Sequence, residues 1–350
     1  MIKKTKKEIN KKENIKETLK PTTTKSVQIP LVGVIVFTFL LAASSFFAGA
    51  AWLKVSKTNT SKTATATFAP TKSDKPDFQF YVMSFCPYGN QMETLLKPVF
   101  DLLGKTANIK PQYIFDKITD LASYCKQTSG DPTQCSAYIQ AGYFTNETDC
   151  KKTIAESSKT CLDEKNYLKI GNNLYSSLHG RVEANQDVRE ICAYNMNEDK
   201  TNWWKFIENV NAKCTATNAD TCWEEQAKQA GFDTNKITEC FNTQAADLID
   251  KEIALTIQNK VQGSPTLKVN GTDFPPEAAN ATGSTLKIGK KVFTQAQFRT
   301  SDAIKEAICA SFKKAPKECK TTIKDATAST EEAGGDTAAA APAATAGSCN

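Results

Sequence analysis

The chain has 350 residues, with 44 basic and 38 acidic side chains, one histidine and twelve cysteines. Its surplus of six positive charges falls within Met1–Val27, which holds nine lysines, three glutamates and no arginine or aspartate, so the remainder is neutral. Charge confined to one end forms no basic groove for a phosphate backbone, which argues against a nucleic-acid partner.

Directly after this lysine-rich tail, Ser26 to Leu53 contains no charged residue and is mostly Val, Ile, Leu, Phe, Ala and Gly. A helix rises about 1.5 Å per residue, so roughly 20 such residues cross a hydrocarbon layer of about 30 Å. Lysines before the run and Trp52 after it fit the positive-inside rule and an interfacial aromatic. Residues 1–27 are therefore expected in the cytoplasm, 28–53 as a single transmembrane anchor, and the body after Lys54 outside the cell membrane. Ala48, Gly49 and Ala50 form a small-residue site that suits signal-peptide cleavage, which would release a secreted form starting near Ala51. The long lysine tail and extended apolar run favour an uncleaved anchor.

Residues 54–77 are rich in Lys, Ser, Thr, Ala and Pro and are expected to form a disordered stalk. Residues 321–350 are Ala, Thr, Gly and Glu ending near Cys349, and are expected to be a disordered tail. Between them, residues 78–320 are long enough for one domain with insertions. Phe78–Met83 reads as a strand, Ser84–Gly89 as a loop, and Asn90–Leu103 as a helix with Leu95, Leu96, Val99, Phe100 and Leu103 at helical spacing and a kink at Pro98. Ile109–Phe115 then reads as a second strand, parallel to the first because a helix joins them. Residues of about 116–169 are polar and hold four cysteines, which suggests a stapled insertion.

A helical insertion is expected over about 182–262. It comprises two helices in Val182–Asn211, shorter ones at Trp223–Ala230 and Thr234–Phe241, and a longer one at Ala245–Val261 that Gly263 ends. Thr266–Val269 reads as a strand, Asn270-Gly271 as a turn, Lys291–Thr294 as a further strand, and Ser301–Phe312 as a last helix capped by Ser301 or Asp302. The fold class is α/β.

All twelve cysteines follow the apolar segment, as expected for a disulfide framework outside the cytoplasm. Zinc is disfavoured because no C-x-x-C pair occurs and His179 is the only histidine. No metal and no cofactor is expected. Spacing suggests local staples Cys125 with Cys135, Cys150 with Cys161, Cys214 with Cys222, and Cys309 with Cys319. Cys192 and Cys240 form a longer-range pair, which leaves Cys86 and Cys349 free. Each closed loop would contribute about 2–4 kcal/mol.

Three features resemble the thioredoxin fold: a strand running into Phe85-Cys86-Pro87-Tyr88-Gly89 at a helix start, a helical insertion, and Gly263-Ser264-Pro265-Thr266 leading into a strand. The helical block resembles the bacterial DsbA-like disulfide oxidoreductases. His179-Gly180 and Arg189-Glu190-Ile191-Cys192 are similar to stretches in the interferon-inducible lysosomal thiol reductases. Trp203 to Cys240 and Ala307 to Cys319 resemble the central region of plant vacuolar sorting receptors. The resemblance spans about Phe78 to Cys319. It implies that Pro265 is cis beside the reactive sulfur and that Ser264 presents its backbone to a substrate peptide.

Independently of any family, a cysteine at a helix start faces unpaired N–H groups and the positive dipole end, which favour thiolate. The position three residues after Cys86 is Gly89, where a dithiol oxidoreductase has its resolving cysteine. Three monothiol routes stay open: reduction dependent on glutathione or a redox partner supplying a thiol, isomerisation, and resolution by a distant cysteine such as Cys192. Exchange with extracytoplasmic protein or peptide substrates is therefore one reading. A non-enzymatic peptide-binding or receptor-like module, with Cys86 inert, is the other.

His179 before a glycine fits a turn or a satisfied core residue better than a catalytic base. Trp203 and Trp204 read as core and surface neighbours on one helix. Asn59, Asn146, Asn270 and Asn280 begin N-x-S/T sequons, which matter only in a host that glycosylates exported proteins.

Overall fold

Strand β2 (Asp77–Val82) is the centre of the fold. Its Phe78, Phe80 and Val82 are completely buried, and alternate residues of a strand share one face. The chain leaves β2 through a four-residue loop into helix α1 (Pro87–Leu103) and returns as β3 (Asn108–Tyr113). β3 pairs parallel to β2 with Phe78 opposite Ile109. The computed structural model describes residues 64–324. The expected cytoplasmic tail, transmembrane span and most of the C-terminal tail lie outside them; among the described residues no helix is long and apolar enough to cross a membrane.

The central sheet has four strands in the order β3-β2-β7-β8, where β7 is Thr266–Val269 and β8 is Thr272–Phe274. β7 runs antiparallel to β2 and β8 antiparallel to β7. Their two-residue turn is Asn270-Gly271, with φ of 47° and 78°, the double positive φ that a tight hairpin with the right twist requires. Asn270 also fixes the register. Its Oδ1 accepts from the Asp77 amide at 2.8 Å and its Nδ2 donates to the Thr71 carbonyl at 2.6 Å. The strand expected at Lys291–Thr294 exists but belongs to another sheet, because a local hairpin captures the edge of β7 first.

That other sheet corrects the stalk. β1 (Thr65–Phe68) pairs parallel to β9 (Thr285–Ile288), which pairs antiparallel to β10 (Lys291–Thr294). Phe68 is buried against Phe274 with ring centroids 5.1 Å apart. A polar Thr-Ala-Thr-Phe segment is thus ordered by one buried aromatic and a borrowed strand edge, and residues 64–77 are part of the folded body.

The cysteine-rich insertion contains β4 (Asp116–Ile118), α2 (Leu121–Thr128), α3 (Cys135–Gln140), α4 (Glu147–Cys161), β5 (Leu168–Ile170) and β6 (Asn173–Ser176). The strands form a small sheet in the order β4-β6-β5. Here two expected pairings are wrong: the bonds are Cys125–Cys161 and Cys135–Cys150. Helix α4 carries one cysteine near each end, so packing joins its Cys150 to α3 and its Cys161 to α2, one bond nested inside the other. Sequence proximity does not decide when helices separate the neighbours. The bonds Cys192–Cys240, Cys214–Cys222 and Cys309–Cys319 join the residues that spacing suggests.

The helical insertion consists of α5 (Arg181–Met196), α6 (Thr201–Lys213), α7 (Ala219–Gln229) and α8 (Thr234–Gln258). One continuous α8 replaces the two helices expected there, since Asn242 to Gln244 contain no Gly or Pro to break it. Trp203 and Trp204 are both 1% exposed, so neither is a surface residue. Trp204 stacks on Phe80 at 6.0 Å and meets Phe100 of α1 at 5.4 Å. Trp203 donates its Nε1 hydrogen to the Glu190 carbonyl at 3.0 Å. The last helix, α9 (Ser301–Ala310), is capped by Thr300 and packs on α1 through the Ser301 hydroxyl, which donates to the Leu95 carbonyl at 2.8 Å. α1 runs unbroken through Pro98.

Candidate functional site

Cys86 is the N-cap of α1, with extended backbone (φ −71°, ψ 116°) and Pro87 at the first helical position. A proline there sacrifices no hydrogen bond, because that N–H has no intrahelical acceptor. The Cys86 amide donates to the Met83 carbonyl at 3.1 Å, and its carbonyl accepts from the Asn90 amide at 3.0 Å. The loop therefore enters the helix in a single defined way.

Ser264 reaches the same place from the start of β7. Its carbonyl oxygen lies 3.5 Å from the Cys86 sulfur, and its hydroxyl accepts from the Met83 amide at 3.3 Å. The Ser264–Pro265 peptide bond is cis. Residues 178 apart in sequence meet because β2 and β7 are neighbours in the sheet. Pro87 and Tyr88 are exposed, whereas Cys86, Gly89 and Ser264 are buried. The expectation that Ser264 offers its backbone to a peptide is not met in this state, since the residue is completely covered.

Two further expectations need correction. Cys86 is not a free thiol: it is disulfide-bonded, and no described cysteine is free. Cys192 is not joined to Cys86 as a resolving partner: its disulfide goes to Cys240 and ties α5 to α8.

Gly89 is small for a steric reason. A Cβ at this position would stand 2.8 Å from the Ser264 hydroxyl, 3.4 Å from the Met83 carbonyl and 3.5 Å from the Cys86 Cβ. Ser264 thus fills the space that a side chain at position 89 would need. We expect Gly89→Cys to destabilise the domain by about 1–3 kcal/mol, as overpacking does. Removing the hydroxyl in Gly89→Cys/Ser264→Ala should recover at least half of that cost in urea unfolding with the native disulfides intact. Purely additive losses would show that the clash is not the cause.

The loop before Cys86 is held from beneath by α5, through acids the sequence reading did not single out. The Ser84 amide and hydroxyl donate to Asp187 Oδ1 at 2.9 and 2.5 Å. The Phe85 amide donates to Glu183 Oε1 at 2.8 Å. Glu183 also accepts from the His179 amide at 2.8 Å and faces His179 Nδ1 at 2.9 Å. That contact raises the imidazole pKa above its ordinary value, against the effect of partial burial. His179 is therefore tied to the Cys86 loop through Glu183.

Deeper in, Glu190 accepts from the Tyr113 hydroxyl at 2.7 Å and from the Gln186 side chain at 3.0 Å. Glu93 of α1 accepts from Asn211 at 2.7 Å. Burial holds Asp187 well above the usual carboxylate range, with repulsion from Glu183 adding to it. Burial likewise raises Glu190 to about 7, and burial followed by Glu190 raises Glu93 to about 8. One sequence signal was available. Glu183, Asp187 and Glu190 recur at helical spacing among Ala184, Val188 and Ile191, so acids and apolar residues crowd a helix with no solvent face to spare.

Solved structures similar to this chain include DsbA from Mycobacterium tuberculosis in reduced form, at 15% identity and TM-score 0.31 over 59% of this chain and 83% of that one. Another is the disulfide bond oxidoreductase DsbG from the same organism, at 14% identity and TM-score 0.35 over 71% and 89%. A third is Chlamydia trachomatis DsbA, at 7% identity and TM-score 0.33 over 61% and 85%. No curated protein matches the sequence. The family profile of the vacuolar sorting receptor thioredoxin-like domain matches residues 104–278, half of the chain. The chain belongs to this family. Its thioredoxin-like domain is recognised from the end of α1 through the helical insertion to β8. The matched stretch begins after Cys86, so membership speaks for the scaffold and leaves the chemistry of the Cys86 loop to its own geometry.

Proposed function

We propose that this thioredoxin-like domain performs thiol–disulfide exchange on extracytoplasmic protein or peptide substrates through Cys86. The supporting observation is the placement of one disulfide-bonded cysteine at the N-cap of α1, with its sulfur 3.5 Å from the Ser264 carbonyl that precedes Pro265. Unpaired amides at a helix start stabilise a thiolate, both as an attacking group and as a leaving group. Asp187 and Glu183 position the loop, while Pro87 and Tyr88 supply its exposed surface. The apolar run at 28–53 would anchor the domain on the outer face of a membrane, with the lysine tail in the cytoplasm.

pH-dependent alkylation of Cys86 after selective reduction tests this reading. We expect a thiol pKa at least one unit below the free-thiol reference of about 8.5. A value at or above the reference would remove the exchange reading. It would favour a second one, a non-enzymatic binding module, which Gly89 in place of a second cysteine and the receptor origin of the family profile both suit.

A further inference from the structure

Helix α5 carries polar residues on two opposite faces. Glu183, Asp187 and Glu190 share the face that holds the Cys86 loop, whereas Arg181, Asn185 and Arg189, four residues apart, share the other. This second face borders an open cleft of about 810 Å³, which is closed on its remaining sides by Glu164 to Lys169, by Asp220 of α7 and by Phe241 of α8. Small-ligand sites span about 300–1,000 Å³. The lining is cationic: Lys165, Lys169, Arg181 and Arg189 face only two carboxylates, Glu164 and Asp220.

Asp220 ties the three α5 residues together but does not satisfy them. Its Oδ1 accepts from Asn185 Nδ2 at 2.9 Å and from Arg189 Nη2 at 2.8 Å, and its Oδ2 accepts from Arg181 Nη1 at 2.9 Å. Arg189 Nη1 and Asn185 Oδ1 have no hydrogen-bond partner among the described residues, although the two side chains are only 9% and 6% exposed. Buried polar groups are otherwise almost always paired. A clamp between α5 and α7 would use Asp220 alone and would have no need of a leftover donor and a leftover acceptor one helical turn apart. Both atoms lie just beneath the cleft surface. The Arg189 guanidinium sits 5.0 Å from the Trp223 ring and 5.8 Å from the Phe241 ring. Trp223 is buried and Phe241 only half-buried on the cleft wall, so Phe241 is the cover that can swing aside.

We propose that this cleft binds a small dianionic carboxylate bearing a hydroxyl group beside one of its carboxyls, an α-hydroxy dicarboxylate in the simplest case. One carboxylate accepts from Arg189 Nη1 and from the exposed Arg181, in the charge-assisted geometry that guanidinium groups favour. The adjacent hydroxyl donates to Asn185 Oδ1. The second carboxylate faces Lys165 at the rim, where Lys169 is already engaged by Glu164 at 2.7 Å. The excess of two positive charges in the lining matches a dianion. A dicarboxylate without the hydroxyl would leave Asn185 Oδ1 buried and unpaired, the loss by which a site built for a hydroxyl rejects its deoxy analogue. The site lies on the far face of α5 from Cys86 and stands whether or not Cys86 exchanges disulfides.

Isothermal titration of the full chain, with disulfides intact and ionic strength fixed, tests the assignment with L-malate, with succinate as its deoxy analogue of equal charge, and with sulfate. Malate should bind saturably at one site per chain, and succinate and sulfate at least about tenfold more weakly. Arg189→Lys keeps a cation for Asp220 but removes Nη1, and should weaken malate at least about tenfold. Lys165→Gln changes an exposed rim residue that the fold does not need, and should weaken malate about threefold, an effect that added salt suppresses. Urea midpoints show whether each variant is folded, and Lys165→Gln carries the test if Arg189→Lys is not. Absence of saturable malate binding overturns the proposal, as does wild-type affinity in the folded variants. Equal affinity for malate and succinate, or for malate and sulfate, also overturns it, because the cleft would then be a plain anion hole with no use for the Asn185 acceptor.

Discussion

Replacing Trp203 by alanine should cost the domain about 3–5 kcal/mol, the range for truncating a fully buried aromatic. The side chain is 1% exposed and sits edge-on to Tyr194 at 5.3 Å and Trp204 at 5.0 Å, with Phe80 of the central strand at 6.3 Å. The indole also donates a second hydrogen bond to the Glu190 carbonyl, which alanine would remove. Trp203→Phe separates the two contributions. It keeps most of the ring packing, loses the hydrogen bond, and should cost about 1–3 kcal/mol. Urea unfolding with disulfides intact measures both. A loss under 1 kcal/mol for the alanine variant would mean that α6 does not hold α5 to the sheet as described.

The consequence reaches the candidate site through α5. Trp203 fixes the backbone at Glu190, and within the two preceding turns of the same helix Glu183 and Asp187 grip the amides of Phe85 and Ser84. Loosening α5 should therefore loosen the turn that presents Cys86, which links core packing to the geometry of the sulfur.

How much of this was legible depends on the range of the interaction that decides it. The β2–α1–β3 unit follows from apolar periodicity, and the meeting of Cys86 with Ser264 followed once strands at 78 and 266 were taken as neighbours. β1 was hidden, because Thr65–Phe68 becomes a strand only where β9 offers an edge. The exchange of partners among Cys125, Cys135, Cys150 and Cys161 was hidden because it depends on how three short helices pack. The acids beneath the site were visible as residues but not as a cluster. Glu93 of α1 and Glu190 of α5 are brought together by helices packing on one sheet, and nothing local to either segment announces that. The bonded state of Cys86 was also missed, since spacing along the sequence offered it no neighbour to pair with.

The buried acids carry the last prediction, that the domain loses stability steadily between pH 5 and pH 8. Glu93 titrates near 4.5 in an unfolded chain and near 8 in the fold, because burial and then the neighbouring Glu190 disfavour its charge. Across that window the folded state keeps a proton that the unfolded state has released. Stability must then fall with rising pH, by about 1.4 kcal/mol per pH unit for each such proton. Glu190 and Glu252, raised by burial to about 7, add to the slope over a shorter window. His179 acts in the same direction: its pairing with Glu183 stabilises the fold below the ordinary pKa of 6.5, and that contribution disappears as pH rises through the higher folded value. Glu93→Gln isolates one carboxyl. Glutamine preserves the shape and can still accept from Asn211, but it has no proton to lose. Urea midpoints at pH 5, 6, 7 and 8, converted with the fitted slopes, should give the variant a pH dependence shallower by up to about 1.4 kcal/mol per unit, and a higher stability than wild type at pH 8. Identical slopes, or a wild-type domain most stable at pH 8, would show that Glu93 is ionised in the fold and that the space between α1 and α5 is wetter than its burial implies.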